Sequence, residues 1–141
     1  MTVTLRRVLL WITVLGAAFV GLWALFAPSL WYDEFPGLGL HWLPPLGPFN
    51  EHLARDVGAL YLGLGVVGLA AALRPTDELL VRTAAAAWFV FSLPHLIFHL
   101  GHLGMYGELD RILNIVTLGF YALMPIVVAL PLRRPAAMVA R

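Results

Sequence analysis

Long uncharged apolar runs alternate along this chain with short polar clusters, and the length of each run is the first clue to the fold. Crossing the hydrocarbon core of a bilayer takes about 20 residues of helix, at roughly 1.5 Å of rise each. Four stretches qualify, at about 8–28, 51–73, 79–102 and 111–132, with a longer connection over 29–50. The pattern predicts an all-α fold, a polytopic membrane four-helix bundle forming one domain over 1–141. The second run is slightly short, because only 17 residues lie between Asp56 and Arg74, about 25 Å of helix. Its helix is therefore expected to start near Asn50 or Glu51, with Asp56 about a turn inside the membrane boundary.

Within the runs, small residues recur four apart at Ala17 and Gly21, Ala59 and Gly63, and Gly68 and Ala72, a spacing that lets membrane helices approach closely. Pro94 and Pro125 fall inside spans, where each removes a helical N–H and is expected to kink its helix. Gly63-x-Gly65-x-x-Gly68 matches a dinucleotide fingerprint in spelling only, since no strand precedes it. The first run is too long for a cleaved signal and no small-x-small site follows it, so it is read as a retained helix.

Composition agrees with the pattern. The 141 residues are 61% hydrophobic and 12% charged, about half the charge of an average soluble domain. With a net charge of +1, nothing points to a nucleic-acid partner. The absence of cysteine removes disulfides, thiolate metal ligands and cysteine nucleophiles. All nine basic residues are arginine. Arg6, Arg7, Arg74, Arg82, Arg133, Arg134 and Arg141 fall on one side of a four-span arrangement, and Arg55 and Arg111 on the other. The excess of arginine predicts that both termini and the 74–82 connection are cytoplasmic and that the 29–50 connection faces outward. Trp31, Tyr32 and Trp42 in that connection suit the aromatic belt of the interface.

The remaining polar groups gather at the outward level. His52 and Asp56 lie four apart on the second span, a spacing that lets a carboxylate hold one imidazole nitrogen. At 100° per residue His95, His99 and His102 fall on one face of the third span, with Trp88 deeper on the same face as a possible floor. Arg111 leads into the fourth span and Asn114 lies one turn inside it. Ionisable groups at membrane depth turn toward a bundle interior, a partner or water. His52, Asp56, His99 and His102 are accordingly expected to point inward at one level, with His95 just below. Each of these residues alone has an ordinary structural explanation: an interfacial histidine, an Asp56–Arg111 or Glu51–Arg55 tie, or an asparagine bonding a neighbouring helix. The convergence of the set is what suggests a site.

Three functions follow. The first is a metal ion (zinc, copper or iron) or a haem held by His52, His95, His99, His102 and Asp56, with Trp88, Asn114 and Arg111 as further contacts. His95 and His102 lie about 10 Å apart along a helix, so the three helix histidines do not bind one ion together, and a pair with His52 is the more reasonable set. The second is an acid–base enzyme acting on a lipid-like or quinone-like molecule, with His52, Asp56 and His95 as candidate catalytic residues. The third is an accessory subunit of a homo-oligomer or membrane complex. No Gly-x-Ser-x-Gly elbow, phosphate loop or Glu-x-x-His motif is present.

The stretch Asn50-Glu51-His52-Leu53-Ala54-Arg55-Asp56-Val57-Gly58-Ala59-Leu60-Tyr61-Leu62-Gly63-Leu64-Gly65 resembles the second-helix entrance of small DoxX-like bacterial membrane proteins. Those have four helices, with an Asn-Glu, Arg, Gly and small-residue pattern at this place. The resemblance implies a four-helix bundle in a bacterial cytoplasmic membrane. Because some relatives are linked to quinone-dependent oxidation, it also implies a quinone-like ligand and a redox role. The segment from Pro94 to His102 lies outside that pattern. The arginine-only, alanine- and leucine-rich composition resembles that of high-GC actinobacterial chains.

The expected orientation has a direct check, because the chain has no cysteine of its own. A single cysteine introduced within 42–49 should react with an impermeant maleimide from outside the cell. Reaction only from the cytoplasmic face would reverse the topology.

Overall fold

The computed structural model describes residues 1–132. Arg133, Arg134 and Arg141, three of the arginines counted above, lie outside the described residues. The described elements are α1 (Val3–Phe26), α2 (Pro28–Glu34), a small antiparallel hairpin of β1 (Pro36–Gly37) and β2 (Leu40–His41), α3 (Glu51–Leu73), α4 (Glu78–Gly101) and α5 (Glu108–Val128). Single 3₁₀ turns stand at Pro44–Leu46 and Leu103–Met105. The four long helices α1, α3, α4 and α5 are all long and apolar enough to cross a membrane.

Local chemistry explains the helix ends. Thr2, Asn50 and Asp77 each place a side-chain oxygen on a first-turn N–H of α1, α3 and α4, at 3.2, 3.1 and 3.1 Å. α1 therefore begins about five residues before its apolar run, at Val3. Pro28 sits at the first position of α2 and closes α1 behind it. α5 starts at Glu108 rather than near 111, with Glu108 and Asp110 in its first turn, where carboxylates complement the helix dipole. α4 and α5 continue through Pro94 and Pro125.

α1 packs along α3, α3 against α4, and α4 against α5, while α1 and α5 make far less contact. The α1–α3 seam is built from small residues. A Cβ on Gly58 would stand 2.5 Å from the Leu25 nitrogen and 2.8 Å from the Gly21 oxygen, so the two backbones meet where only glycine fits. Ala17, Gly65, Gly68 and Ala72 extend this seam or the core beside it, whereas Ala59 and Gly63 face outward.

The two ends of the bundle differ. At the end where Met1 N donates to Pro131 O, Leu10, Ala71, Ala72, Val81, Ala84, Ala85, Met124 and Val128 close into a continuous core. Arg6 is buried there at 0% exposure. Its guanidinium donates to Pro75 O at 3.0 Å, to the Glu78 carboxylate at 2.8 Å and to Leu130 O at 2.5 Å. One side chain thus joins the start of α1, the α3–α4 turn and the segment after α5.

At the opposite end the 29–50 connection is a folded cap. Trp42 Nε1 donates to Asp110 Oδ1 at 2.9 Å, Tyr106 donates its hydroxyl to Trp42 O at 2.8 Å, and Tyr32 donates to Gly47 O at 2.6 Å. Burial first, and then the Asp110 carboxylate, pushes the Tyr106 phenol above its ordinary value, so it stays protonated and donating. Trp31 and Trp42 are buried under this cap rather than spread on an interfacial belt, because Asp110 and the aromatic cluster with Phe35 draw them inward.

The role of Arg6 can be measured against its neighbour. Arg6→Ala leaves two backbone carbonyls and a carboxylate without their donor and should cost at least about 1–3 kcal/mol in detergent unfolding. Arg7→Ala, at an exposed position, should be near neutral. Equal effects of the two substitutions would contradict the tie.

Candidate functional site

Between the closed core and the cap lies a chamber of about 630 Å³. Its depth comes from α4, where Trp88, Ser92, His95 and His99 succeed one another at helical spacings of four, three and four and all line it. From Trp88 to His99 this stripe covers about 16 Å along the helix axis. Asn114, Thr117 and Tyr121 line the facing side on α5, Val57 and Tyr61 on α3, and Gly16, Phe19 and Val20 on α1.

The floor is aromatic. Trp88 stacks on Tyr121 with ring centroids 6.1 Å apart and meets Tyr61 and Phe91 edge-on at 6.3 Å each. Gly16 leaves room for this floor, because a Cβ there would fall on the Tyr121 hydroxyl. The roof is the cap, with Trp31, Phe35 and Trp42 above the chamber and the hairpin residues Pro36, Gly37, Leu38 and Leu40 in its lining. Gly37, Leu38 and Gly39 all have positive φ (97°, 60° and 77°). Leu38 at the turn is fully exposed and carries a conformation that a branched side chain adopts only at a cost.

Polar atoms in the walls lack partners. Trp88 Nε1, Ser92 Oγ, His99 Nδ1 and Asn114 Oδ1 are all buried without a hydrogen bond. Such groups are normally satisfied in folded proteins, so a cluster of them around one chamber makes it the candidate site. His95 and His99 stand 4.6 Å apart, centroid to centroid, and Phe91 stacks on His95 at 5.4 Å. Asn114 lies beside His99. Its Nδ2 donates to Asp110 O at 3.0 Å.

The expected site residues separate into two groups. Trp88, His95, His99 and Asn114 come together on the chamber. His102 does not join them, because α4 ends at Gly101 and the face on which His102 was placed ends with it. Its Nδ1 bonds Phe98 O at 2.7 Å and its ring stacks on Phe98. His52 and Asp56 pair with each other at 3.3 Å, with side chains 83% and 54% exposed. The inward face of α3 is fixed by Ala54, Gly58 and Tyr61, which turns 52 and 56 outward. Arg111 is exposed and donates from Nε to Leu103 O at 3.0 Å and Tyr106 O at 2.8 Å, holding the turn before α5. The Glu51–Arg55 pair forms at 2.8 Å, and Arg55 reaches Leu25 O on α1.

Among the described residues, no group of three His, Asp or Glu side chains is arranged to hold a metal ion. The chamber offers two imidazoles from one helix, short of the three protein ligands of a catalytic zinc site. Nor do two histidines face each other across it as haem axial ligands would require.

Ser92, Tyr61, Tyr121 and the Trp42–Asp110 latch are absent from the sequence-based site. Ser92 was within reach of it, since it lies four residues from Trp88 and three from His95 on the same face. The latch joins residues 68 apart and has no local signal. Comparison with known proteins adds no further residue: no family model, no curated protein and no solved structure matches the chain.

If the unpartnered atoms belong to a binding site, removing one should not harm the empty protein. Ser92→Ala should leave its thermal stability in detergent unchanged or slightly raised, because a buried unsatisfied hydroxyl costs about 1–3 kcal/mol. A clear loss of stability would mean that the hydroxyl serves the scaffold.

Proposed function

We propose that this chain is a multi-pass protein of the bacterial cytoplasmic membrane that binds a lipid-like molecule in the chamber beneath its outer cap. Both termini lie in the cytoplasm in this reading. The polar end of the ligand rests among His95, His99 and Asn114, and its apolar body lies on the floor formed by Trp88, Tyr121 and Tyr61. A neutral imidazole donates a hydrogen bond at one ring nitrogen and accepts at the other, so the two histidines can hold that polar end.

The observation that carries this reading is the pairing of a large apolar chamber with five buried polar atoms, Trp31 Nε1 among them, that have no partner among the described residues. Ligand sites are typically apolar cavities of about 300–1,000 Å³ with a few convergent polar groups. The gap between α1 and α5 is the route a lipid-like molecule takes in this reading. Phe19 on α1 and Thr117 on α5 line the chamber and are exposed on the outside of the bundle, where the two helices have little contact. In this reading the ligand enters along that seam, above Gly16 and Tyr121. The metal and haem readings draw less support, since His52, Asp56 and His102 stand away from the chamber. A quinone-like ligand, suggested by the DoxX-like resemblance of 50–65, belongs to the same size and polarity class.

Native mass spectrometry of the protein released from detergent should find one apolar molecule bound per chain. His99→Ala should abolish its retention while unfolding stability stays close to the parent. His52→Ala, on the outer face of α3, should retain it. Loss of stability in His99→Ala with ligand retention unchanged would make the imidazole structural and remove the reading.

A further inference from the structure

The orientation of the Asn114 carboxamide restricts what the chamber accepts, an inference that rests on the proposed lipid-like ligand. An asparagine's oxygen and nitrogen are assigned from their partners. Here the partner is the Asp110 carbonyl, which can only accept, so the nitrogen must face it at 3.0 Å. The oxygen is then the atom left without a partner, on a residue only 1% exposed. An amide oxygen has no hydrogen to give, so whatever completes it must bring a donor. His99 Nδ1, on a residue 6% exposed, also has no hydrogen bond among the described residues, and Asn114 lies within reach of the His99 ring.

One chemical group satisfies both atoms at once. A hydroxyl donates its hydrogen to Asn114 Oδ1 and, with the His99 proton on Nδ1, accepts from that nitrogen. A ketone, ester or quinone carbonyl accepts from His99 but leaves Asn114 Oδ1 bare in an apolar wall. We infer that the chamber selects an amphiphile headed by an alcoholic or phenolic hydroxyl, the hydroquinone rather than the quinone form where the ring is of that type. Selectivity of this kind is steep, because the penalty falls on a buried polar group left unpaired when the wrong head enters. Ser92 Oγ, deeper on the same stripe, both donates and accepts, so it tolerates either kind of group and does not set the preference.

The test uses three probes of one carbon skeleton: a secondary twelve-carbon alcohol, the corresponding ketone and the parent alkane. Each is titrated against the full-length protein in lipid nanodiscs, and apparent affinity is read from the rise in unfolding temperature. The alcohol should bind at least about tenfold more tightly than the ketone. Asn114→Leu should bring the two to equal affinity by losing the alcohol's advantage. Equal binding of alcohol and ketone to the parent protein would overturn the hydroxyl preference and leave the lipid-like reading standing. It would mean that Asn114 and His99 satisfy each other. Absence of stabilisation by all three probes would overturn both. Should Asn114→Leu fail to fold, the comparison on the parent protein decides alone.

Discussion

Lipid tails are as apolar as leucine, so helices in a bilayer gain little from burying apolar surface against one another. Close backbone packing and polar ties must hold them together. In this protein the ties are concentrated at the two ends. The Arg6 guanidinium gathers the start of α1, the α3–α4 turn and the segment after α5 into one buried knot. At the other end the indole of Trp42 and the hydroxyl of Tyr106 fasten the cap to the start of α5. The Gly21–Gly58 contact brings α1 and α3 together between them. With both ends fixed and one seam tight, the helices are free to stand apart in the half beneath the cap.

That separation is what the site uses. On the Arg6 side, Ala71, Ala84, Ala85 and Met124 belong to one buried apolar cluster. On the cap side, five polar atoms of chamber-lining residues, Trp31 Nε1 among them, have no partner among the described residues. A fold stabilised for its own sake would replace them with apolar groups, since each costs more buried than it returns. Their presence, grouped on facing helices under a roof of tryptophans, is what the proposed ligand would account for.

Much of the framework was legible in the chain. Uninterrupted apolar runs and their length predicted the four long helices, because the cost of unsatisfied backbone in hydrocarbon leaves few alternatives. Helical spacing likewise brought Trp88, His95 and His99 to one face, and Asn114 onto the same chamber from α5. The same spacing misplaced His102, where the helix had already ended at Gly101. His52 and Asp56 were expected inward on the cost of burying charge in lipid. They lie near the end of α3, where water relieves that cost, and Ala54 and Gly58 decide which face packs. Arg6 read only as an orientation signal. Its role as a tie depends on carbonyls contributed from residues 75 and 130, which no local pattern announces. The cap's fold over the chamber depends in the same way on a contact between Trp42 and Asp110.

The central claim is that the chamber is occupied by an amphiphile taken from the membrane, and the most direct measurement is an experimental density map. The protein would be extracted into nanodiscs with its native lipids and its structure determined without added ligand. The account predicts an elongated density that is not protein, with one end within hydrogen-bond distance of His99 Nδ1 and Asn114 Oδ1 and its body against Trp88 and Tyr121. A chamber collapsed by inward movement of α5, or filled by separate waters bridging Ser92, His99 and Asn114, would contradict it.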